Sequence, residues 1–315
     1  MIGSQEIDVA AKRMLGHVRQ TPALAFDTGA FGVSGTAILK LEMLQHTGSF
    51  KCRGAFNRLL SLSEIPAAGV IAASGGNHGA AVAYAARELG SAAEIFVPAA
   101  TPAAKIARIS GFGACVVVGG ATYHDAWSAS QERQVVTGAI EIHAYDDDAV
   151  IAGQGTVARE FEAQAPALTH VLVATGGGGL IGGMAAWYAS RVTVISVEPI
   201  GCPSLHDALA AGRPVASPAG GLAADSLGAR EVGGRMFAIA RAHVAQAVLV
   251  TDGAIRDAQR MLWDHCRLIV EPGGAVALAG LLSGAFVPPP GARVGIVLCG
   301  ANTDPATMTT EKAAP

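Results

Sequence analysis

The sequence predicts an α/β protein with two sheets in series, each open and mostly parallel, and a cleft between them. Three observations carry that expectation. Short apolar runs alternate with amphipathic segments from residue 69 onward, the same alternation resumes at residue 169, and three aspartates, Asp146 to Asp148, stand between the two series. Continuous apolar strands separated by helices are the mark of parallel sheets covered on both faces.

In the first series GVIAAS (69–74) reads as a buried strand and NHGAAVAYAARELG (77–90) as a helix ended by glycine. AEIFVP (93–98) is the next strand, and TPAAKIARISGFG (101–113) a helix with proline near its start and glycine at its end. ACVVVG (114–119), YHDAWSASQERQVVTG (123–138) and EIHAY (141–145) follow as strand, helix and strand. In the second series THVLVAT (169–175) is a strand that runs through glycines into the helix LIGGMAAWYAS (180–190). VTVISVEP (192–199), PSLHDALAAG (203–212) and HVAQAVLVT (243–251) read as strand, helix and strand. DGAIRDAQRMLWDHCRL (252–268) and GGAVALAGLLSGAF (273–286) read as helices, and ARVGIVLCGAN (292–302) closes as a strand. Arg213 to Gly234, rich in Gly, Ala, Ser and Pro, reads as irregular structure. Ligands of such folds gather at the carboxyl ends of the strands.

Composition narrows the function classes. A net charge of −3 and a pI near 6.3 exclude a general basic footprint, so neither nucleic acid nor an anionic membrane is an expected partner. With 51% hydrophobic and 15% charged residues, 315 residues are enough to bury a sizeable core, and disorder is excluded. The N-terminus shows no basic stretch followed by an apolar run, and no apolar segment reaches the ~18 residues of a membrane span. The five cysteines, at 52, 115, 202, 266 and 299, make no CxxC pair, and no HExxH spacing occurs, which argues against a structural zinc. Free thiols fit a reducing cytoplasm, the expected location.

Four stretches carry chemistry. In TGSFKCRGAF (47–56), Lys51 sits between Phe50 and Cys52 just after a turn. A lysine held among apolar neighbours loses hydration, its pKa falls, and its amine becomes a nucleophile; otherwise its stem covers apolar surface and the charge reaches water. LVATGGGGLIGG (172–183) takes a strand through four glycines into a helix. Without Cβ atoms, successive N–H groups face one anion at the helix N-terminus; the alternative is a tight turn kept for packing. The spacing fits neither the dinucleotide fingerprint nor a P-loop. In SGGNHGAAVAYAA (74–86) a polar turn supplies Asn77 and His78 at a helix start, offering N–H donors to a carboxylate, or simply Asn77 as an N-cap. VLCGAN (297–302) places Cys299 at the end of the last strand, either at a site or as a small buried hydrophobe.

Taken together and in this order, the lysine motif, SGGNHG, GGGGL, VEP and CGAN resemble the fold-type II pyridoxal phosphate enzymes, and among them the serine/threonine dehydratase group. The resemblance runs from about Thr21 to Asn302. It implies a tryptophan synthase β-like fold, with a large cofactor-binding domain over residues 1–61 and 145–315 and a small domain over 62–144. It implies that Lys51 forms the Schiff base with pyridoxal 5'-phosphate and removes the Cα proton. The backbone of Gly176, Gly177, Gly178, Gly179 and Leu180 would hold the phosphate and Asn77 would bond the ring hydroxyl. Phe50 would pack on the ring and Cys299 would meet its nitrogen. The loop Ser74, Gly75, Gly76, Asn77 and His78 would grip the substrate carboxylate. The implied reaction is α,β-elimination from a β-hydroxy amino acid such as L-threonine or L-serine, giving a 2-oxo acid and ammonia, in a homodimer.

Departures from the family pattern bear on the choice of reaction. Racemases similar to this sequence place a serine just before the glycine of GNH, and here that position is Gly75, so a far-face proton donor is missing and elimination is favoured over serine racemisation. Some relatives bind a divalent ion through the glutamate of VEP, a carbonyl four residues on and an acid two further; here those positions are Glu198, Cys202 and Ser204. Losing a carboxylate weakens a hard site, so a monovalent cation or weak divalent binding are equal expectations beside a plain strand-end glutamate. Asp225 in AADSLGA is assigned no role beyond loop structure. Only thirteen residues follow Asn302, too few for an isoleucine-binding regulatory domain. GAFGVSGTA (29–37) and the loop 216–229 are candidate walls for the β-substituent, whose small side chains leave room for 3-hydroxyaspartate or a β-aryl serine. A non-catalytic binder of phosphorylated small molecules is the reading outside enzymes.

Overall fold

The computed structural model describes residues 2–27, 29 and 36–308. Most of the GAFGVSGTA segment therefore lies outside the described residues. In chain order the main elements are α1 (Ser4–Arg13), β1 (Ala23–Asp27), β2 (Thr36–Lys40), α2 (Lys51–Leu60), β3 (Val70–Ala73), α3 (Asn77–Glu88), β4 (Ala93–Val97), α4 (Ala103–Gly111), β5 (Cys115–Val118), α5 (Tyr123–Thr137) and β6 (Ile140–Glu141). There follow α6 (Asp148–Gln164), β7 (His170–Ala174), α7 (Gly179–Tyr188), β8 (Thr193–Pro199), α8 (Ser204–Ala211), α9 (Ala224–Leu227), α10 (Gly234–His243), β9 (Val244–Val250), α11 (Asp252–Cys266), α12 (Pro272–Leu282) and β10 (Val294–Val297).

The strands form two sheets, as the alternation predicts. One has six strands in the order β1-β2-β10-β7-β8-β9, parallel except for the β1–β2 pair. The other has four parallel strands, β5-β4-β3-β6. Strands β3, β7 and β10 are buried almost throughout, which is why they read as unbroken apolar runs. The last strand of the small sheet is shorter than EIHAY suggests: after β6 the chain turns at His143, whose Nδ1 accepts from the backbone of Tyr145 and Asp146 at 3.3 and 2.8 Å.

The aspartate run that reads as an interruption instead starts a helix of seventeen residues, α6, with the Asp147 side chain capping Val150 N–H at 2.9 Å. Its amphipathic signal is blurred by Gly153 and Gly155, which serve close packing. A Cβ on Gly153 would stand 2.6 Å from the Arg53 carbonyl oxygen, and one on Gly155 would stand 2.8 Å from that of Gly183. A Cβ on Gly183 would in turn meet the Ile151 oxygen at 2.3 Å. Helices α2, α6 and α7 thus meet backbone to backbone, which sets where the N-termini of α2 and α7 lie.

A buried charge network locks the same region. Arg53, 1% exposed, forks its Nε and Nη2 onto the two Glu42 oxygens at 2.8 and 2.7 Å, and Nη2 also reaches Glu160 at 3.1 Å. Lys40 donates to Glu160 and to the Thr21 carbonyl. Burial alone would raise the Glu42 pKa, but the Arg53 guanidinium outweighs it and holds the carboxylate below its ordinary value. Removing one member of such a set strands the other's charge in the core. The expected outcome for Arg53→Leu is a loss of about 3–5 kcal/mol of stability, read as a lower urea midpoint. An unchanged midpoint would show that the network does not hold α2.

Candidate active site

Lys51 begins α2, and the chain reaches it through a strained turn. Thr47 and Gly48 both have left-handed backbone, with φ of 59° and 73°. A Cβ on Gly48 would sit 2.4 Å from the Asn302 Oδ1, so this position excludes a side chain. Ser49 then pairs with Gly300, and Phe50 N–H donates to the Cys299 oxygen at 3.2 Å, stitching the start of α2 to the end of β10. The Lys51 amine lies in the cleft between the sheets, donates to the Ala144 oxygen at 2.8 Å and stands 5.3 Å from the Phe50 ring centre. Burial pulls its pKa down to about 8, against the opposing attraction of Cys299 and Glu271.

Across the cleft the glycine tract joins β7 to α7. Gly178 caps the helix in left-handed conformation, and the first helical bond runs from Gly182 N–H to the Gly178 oxygen at 2.8 Å. The N–H groups of Gly179, Leu180 and Ile181 therefore have no acceptor within the helix and face the cleft mouth of its N-terminus. Space behind the tract is filled. Added Cβ atoms would meet Leu227 backbone at 2.9 Å from Gly176, the Tyr145 ring at 2.3 Å from Gly177 and Met236 at 2.3 Å from Gly178. The tract is bare because its neighbours leave no room for side chains, and bareness is also what exposes its donors.

A cleft of about 470 Å³ brings together Phe50, Lys51, Asn77, the tract Gly176 to Leu180 and Cys299. Asn77 Nδ2 donates to Glu271 at 2.6 Å and its Oδ1 accepts from Asn302 Nδ2, so one Nδ2 hydrogen remains for a ligand. Burial drives the Cys299 thiol far above its ordinary pKa, with Glu271 adding to the effect, so it is neutral. Next to this cleft lies a second of about 330 Å³, which shares Asn77, Ser226 and Glu271 with it and includes Gly75 and Gly76. Helix α3 makes its first internal bond from Ala80 N–H to the Gly76 oxygen at 3.2 Å, leaving the N–H groups of Asn77, His78 and Gly79 without helical acceptors.

Two of the loop residues turn away from both clefts. Ser74 Oγ accepts from Gly76 N–H at 3.3 Å, and the His78 ring, 5% exposed, lies 2.7 Å from the Ile142 oxygen. Burial, reinforced by the Lys51 charge, lowers the His78 pKa to about 3, so the ring is neutral and its Nε2–H holds the end of β6. Glu198, Cys202 and Ser204 also lie apart from the clefts. The buried Glu198 carboxylate accepts from Leu205 and His206 N–H, each at 2.8 Å, and so caps α8. Ser204 Oγ donates to the Gly176 oxygen at 2.8 Å, and Cys202 Sγ to the Gly220 oxygen at 3.1 Å. Among the described residues no group of three or more His, Cys, Asp or Glu is arranged to hold a metal ion. Of the three, Ser204 is the one that props the glycine tract, through Gly176.

The structure adds residues that sequence reasoning passed over. Glu271, buried before Pro272 and pushed up to about 7 by that burial, faces both clefts. Its only local signal is a glutamate ahead of Pro-Gly-Gly at a helix start. Tyr145 walls the glycine tract, and Asp225 pairs with Lys105 across the mouth of the second cleft, so it does more than shape a loop.

Comparisons with known proteins agree with this geometry. The model of the family "Pyridoxal-phosphate dependent enzyme" matches residues 14–300. An L-threonine ammonia-lyase of Thermotoga maritima is 37% identical over 93% of this chain and 74% of its own length. A phenylserine dehydratase of Ralstonia pickettii is 38% identical over 94% of this chain and 92% of its own. The solved structure of maize serine racemase superposes with a TM-score of 0.92 at 32% identity, covering 98% of this chain and 96% of that one. The lowered pKa of Lys51 makes a prediction of its own. Reductive trapping of this amine by an aldehyde, located by peptide mass spectrometry, rises with pH through a midpoint near 8, because deprotonation exposes the nucleophile. A midpoint near the ordinary 10.5 would mean that the amine is fully hydrated.

Proposed function

This chain belongs to the pyridoxal-phosphate dependent enzymes, and from that premise we propose an ammonia-lyase that eliminates water from a β-hydroxy amino acid such as L-threonine or L-serine and releases a 2-oxo acid and ammonia. The residues present fit the cofactor. The outward N–H groups of Gly179, Leu180 and Ile181 suit its phosphate, the free Nδ2 hydrogen of Asn77 suits its ring hydroxyl, and the Phe50 face suits its ring. When bound, pyridoxal 5'-phosphate supplies an electron sink for the pair left at Cα.

The chain's own groups do the rest. Neutral Lys51 takes the proton from Cα, a task that needs an amine titrating near neutrality. The N–H groups of Asn77, His78 and Gly79 orient the α-carboxylate at the N-terminus of α3. Cys299, held neutral by burial, would meet the ring nitrogen as a thiol and so would neither charge nor protonate it, an environment that suits elimination of the β-hydroxyl. The enamine set free tautomerises and takes up water, which expels ammonia. The observation that carries this reading is one buried amine of lowered pKa facing a phosphate-sized set of free N–H groups across a single cleft.

Serine racemisation is the second reading, favoured by the likeness to maize serine racemase. It needs a second proton donor on the face opposite Lys51, and Gly75 offers none; a Cβ there would meet the Thr101 methyl at 2.9 Å. The domain limits at 61/62 and 144/145, a homodimeric assembly and a cytoplasmic location belong to the same proposal. Among the described residues no helix is long and apolar enough to cross a membrane. The test is to incubate the loaded enzyme with L-threonine, L-serine and 3-phenylserine and to follow 2-oxo acid and chirality together. Expected are 2-oxo acid from at least one of them, little D-serine, and a rate at least about 10²-fold lower in Lys51→Ala, the scale of a lost general base. D-serine forming faster than pyruvate would replace this reading with the racemase.

A further inference from the structure

The second cleft carries a charge that elimination from threonine or serine does not use. Its α4 wall presents Lys105 and Arg108 opposite Gly75, Gly76 and Asn77. Lys105 is already paired with Asp225. Arg108 is half-buried, donates through Nη2 to the Thr47 carbonyl, and among the described residues has no carboxylate partner. Its charge feels Glu271 across the cleft, but a Glu271 oxygen is engaged by Asn77. A guanidinium has five N–H donors, and a carbonyl occupies few of them. Half-buried and without a carboxylate partner among the described residues, it is the arrangement that a planar carboxylate satisfies with two parallel bonds.

Resting on the dehydratase reading above, we propose that Arg108 receives a carboxylate on the substrate's β-carbon, and that the preferred substrate is therefore 3-hydroxyaspartate. The two clefts share Asn77, Ser226 and Glu271, so a substrate whose Cα lies at Lys51 extends its β-substituent toward α4. The start of α3 provides separate donors for the α-carboxylate, which leaves Arg108 for the second one. Glu271, pushed up to about 7, is partly protonated at neutral pH and so repels that carboxylate less than an ordinary glutamate would. The methyl group of threonine, or an aryl ring, would leave Arg108 desolvated without compensation. The chemistry balances without a co-reactant. The Cα–H and Cβ–O bonds break and water departs. The released enamine then tautomerises and takes up one water as ammonia leaves, so the products are a 2-oxo dicarboxylate and ammonia.

The test compares kcat/KM of the loaded enzyme for the 3-hydroxyaspartate stereoisomers, L-threonine, L-serine and 3-phenylserine, in the wild type, Arg108→Gln and Arg108→Lys. Wild type should prefer one 3-hydroxyaspartate isomer over L-threonine by about 10²-fold, the scale of one desolvated charge pair. Arg108→Gln should reduce that ratio by a similar factor, mainly through KM, and Arg108→Lys should restore part of it. An active wild type that prefers threonine or phenylserine overturns the inference and leaves the dehydratase reading standing. Equal losses on every substrate in Arg108→Gln also overturn it, assigning Arg108 to support of the Thr47 turn. Elimination from none of the substrates defeats the dehydratase reading itself. Should the glutamine variant not fold, the wild-type preference and the lysine variant still decide.

Discussion

The site depends on a set of charges that is almost entirely buried. Arg53, two residues past Lys51, is held on both oxygens of Glu42 and on Glu160, while Lys40 holds Glu160 from the other side. Four charged groups from β2, the segment after it, α2 and α6 therefore have one low-energy arrangement, since any other leaves a bare charge in the core. That arrangement fixes the rotation of α2 about its axis, and with it the direction of Lys51. The glycines of α6 and α7 then bring the phosphate-sized row of donors to a set distance, because backbone contacts as tight as those of Gly183 allow little sliding.

Electrostatic tuning in the cleft follows from burial more than from partners. Lys51 is lowered, Cys299 is raised and Glu271 is raised, and desolvation is the leading cause in each case. All three shifts move toward neutrality. The protein thus presents an easily deprotonated amine, a neutral thiol and a partly uncharged acid to a ligand that brings its own phosphate and carboxylate charges. Among the described residues lining the clefts, the helix starts of α3 and α7, and Arg108, offer donors that no carboxylate of the protein has taken.

Much of this could be read from the chain itself. The parallel strands were legible because burial on both faces leaves unbroken runs such as VLVA, and Lys51 and the glycine tract because each is a contiguous motif. Helix α6 was not, because Gly153 and Gly155 exist to fit Arg53 and Gly183, partners far away in sequence. Glu271, Tyr145 and Arg108 were missed for the same reason: each stands on an ordinary-looking segment and gains meaning only from what folding sets opposite it. The VEP glutamate, for which the resemblance left a cation site and a plain strand-end residue equally open, accepts from two N–H groups in the first turn of α8, a contact that the sequence does not announce.

The bridge between Lys105 and Asp225 ties α4, beside the small sheet, to α9, on the side of the large one. Both partners are solvent-accessible, and pairs of that kind hold with only about 0–1 kcal/mol. A pair of that strength restrains α4 against α9 only lightly. Salt screens so exposed a pair, so this tie between α4 and α9 weakens as ionic strength rises.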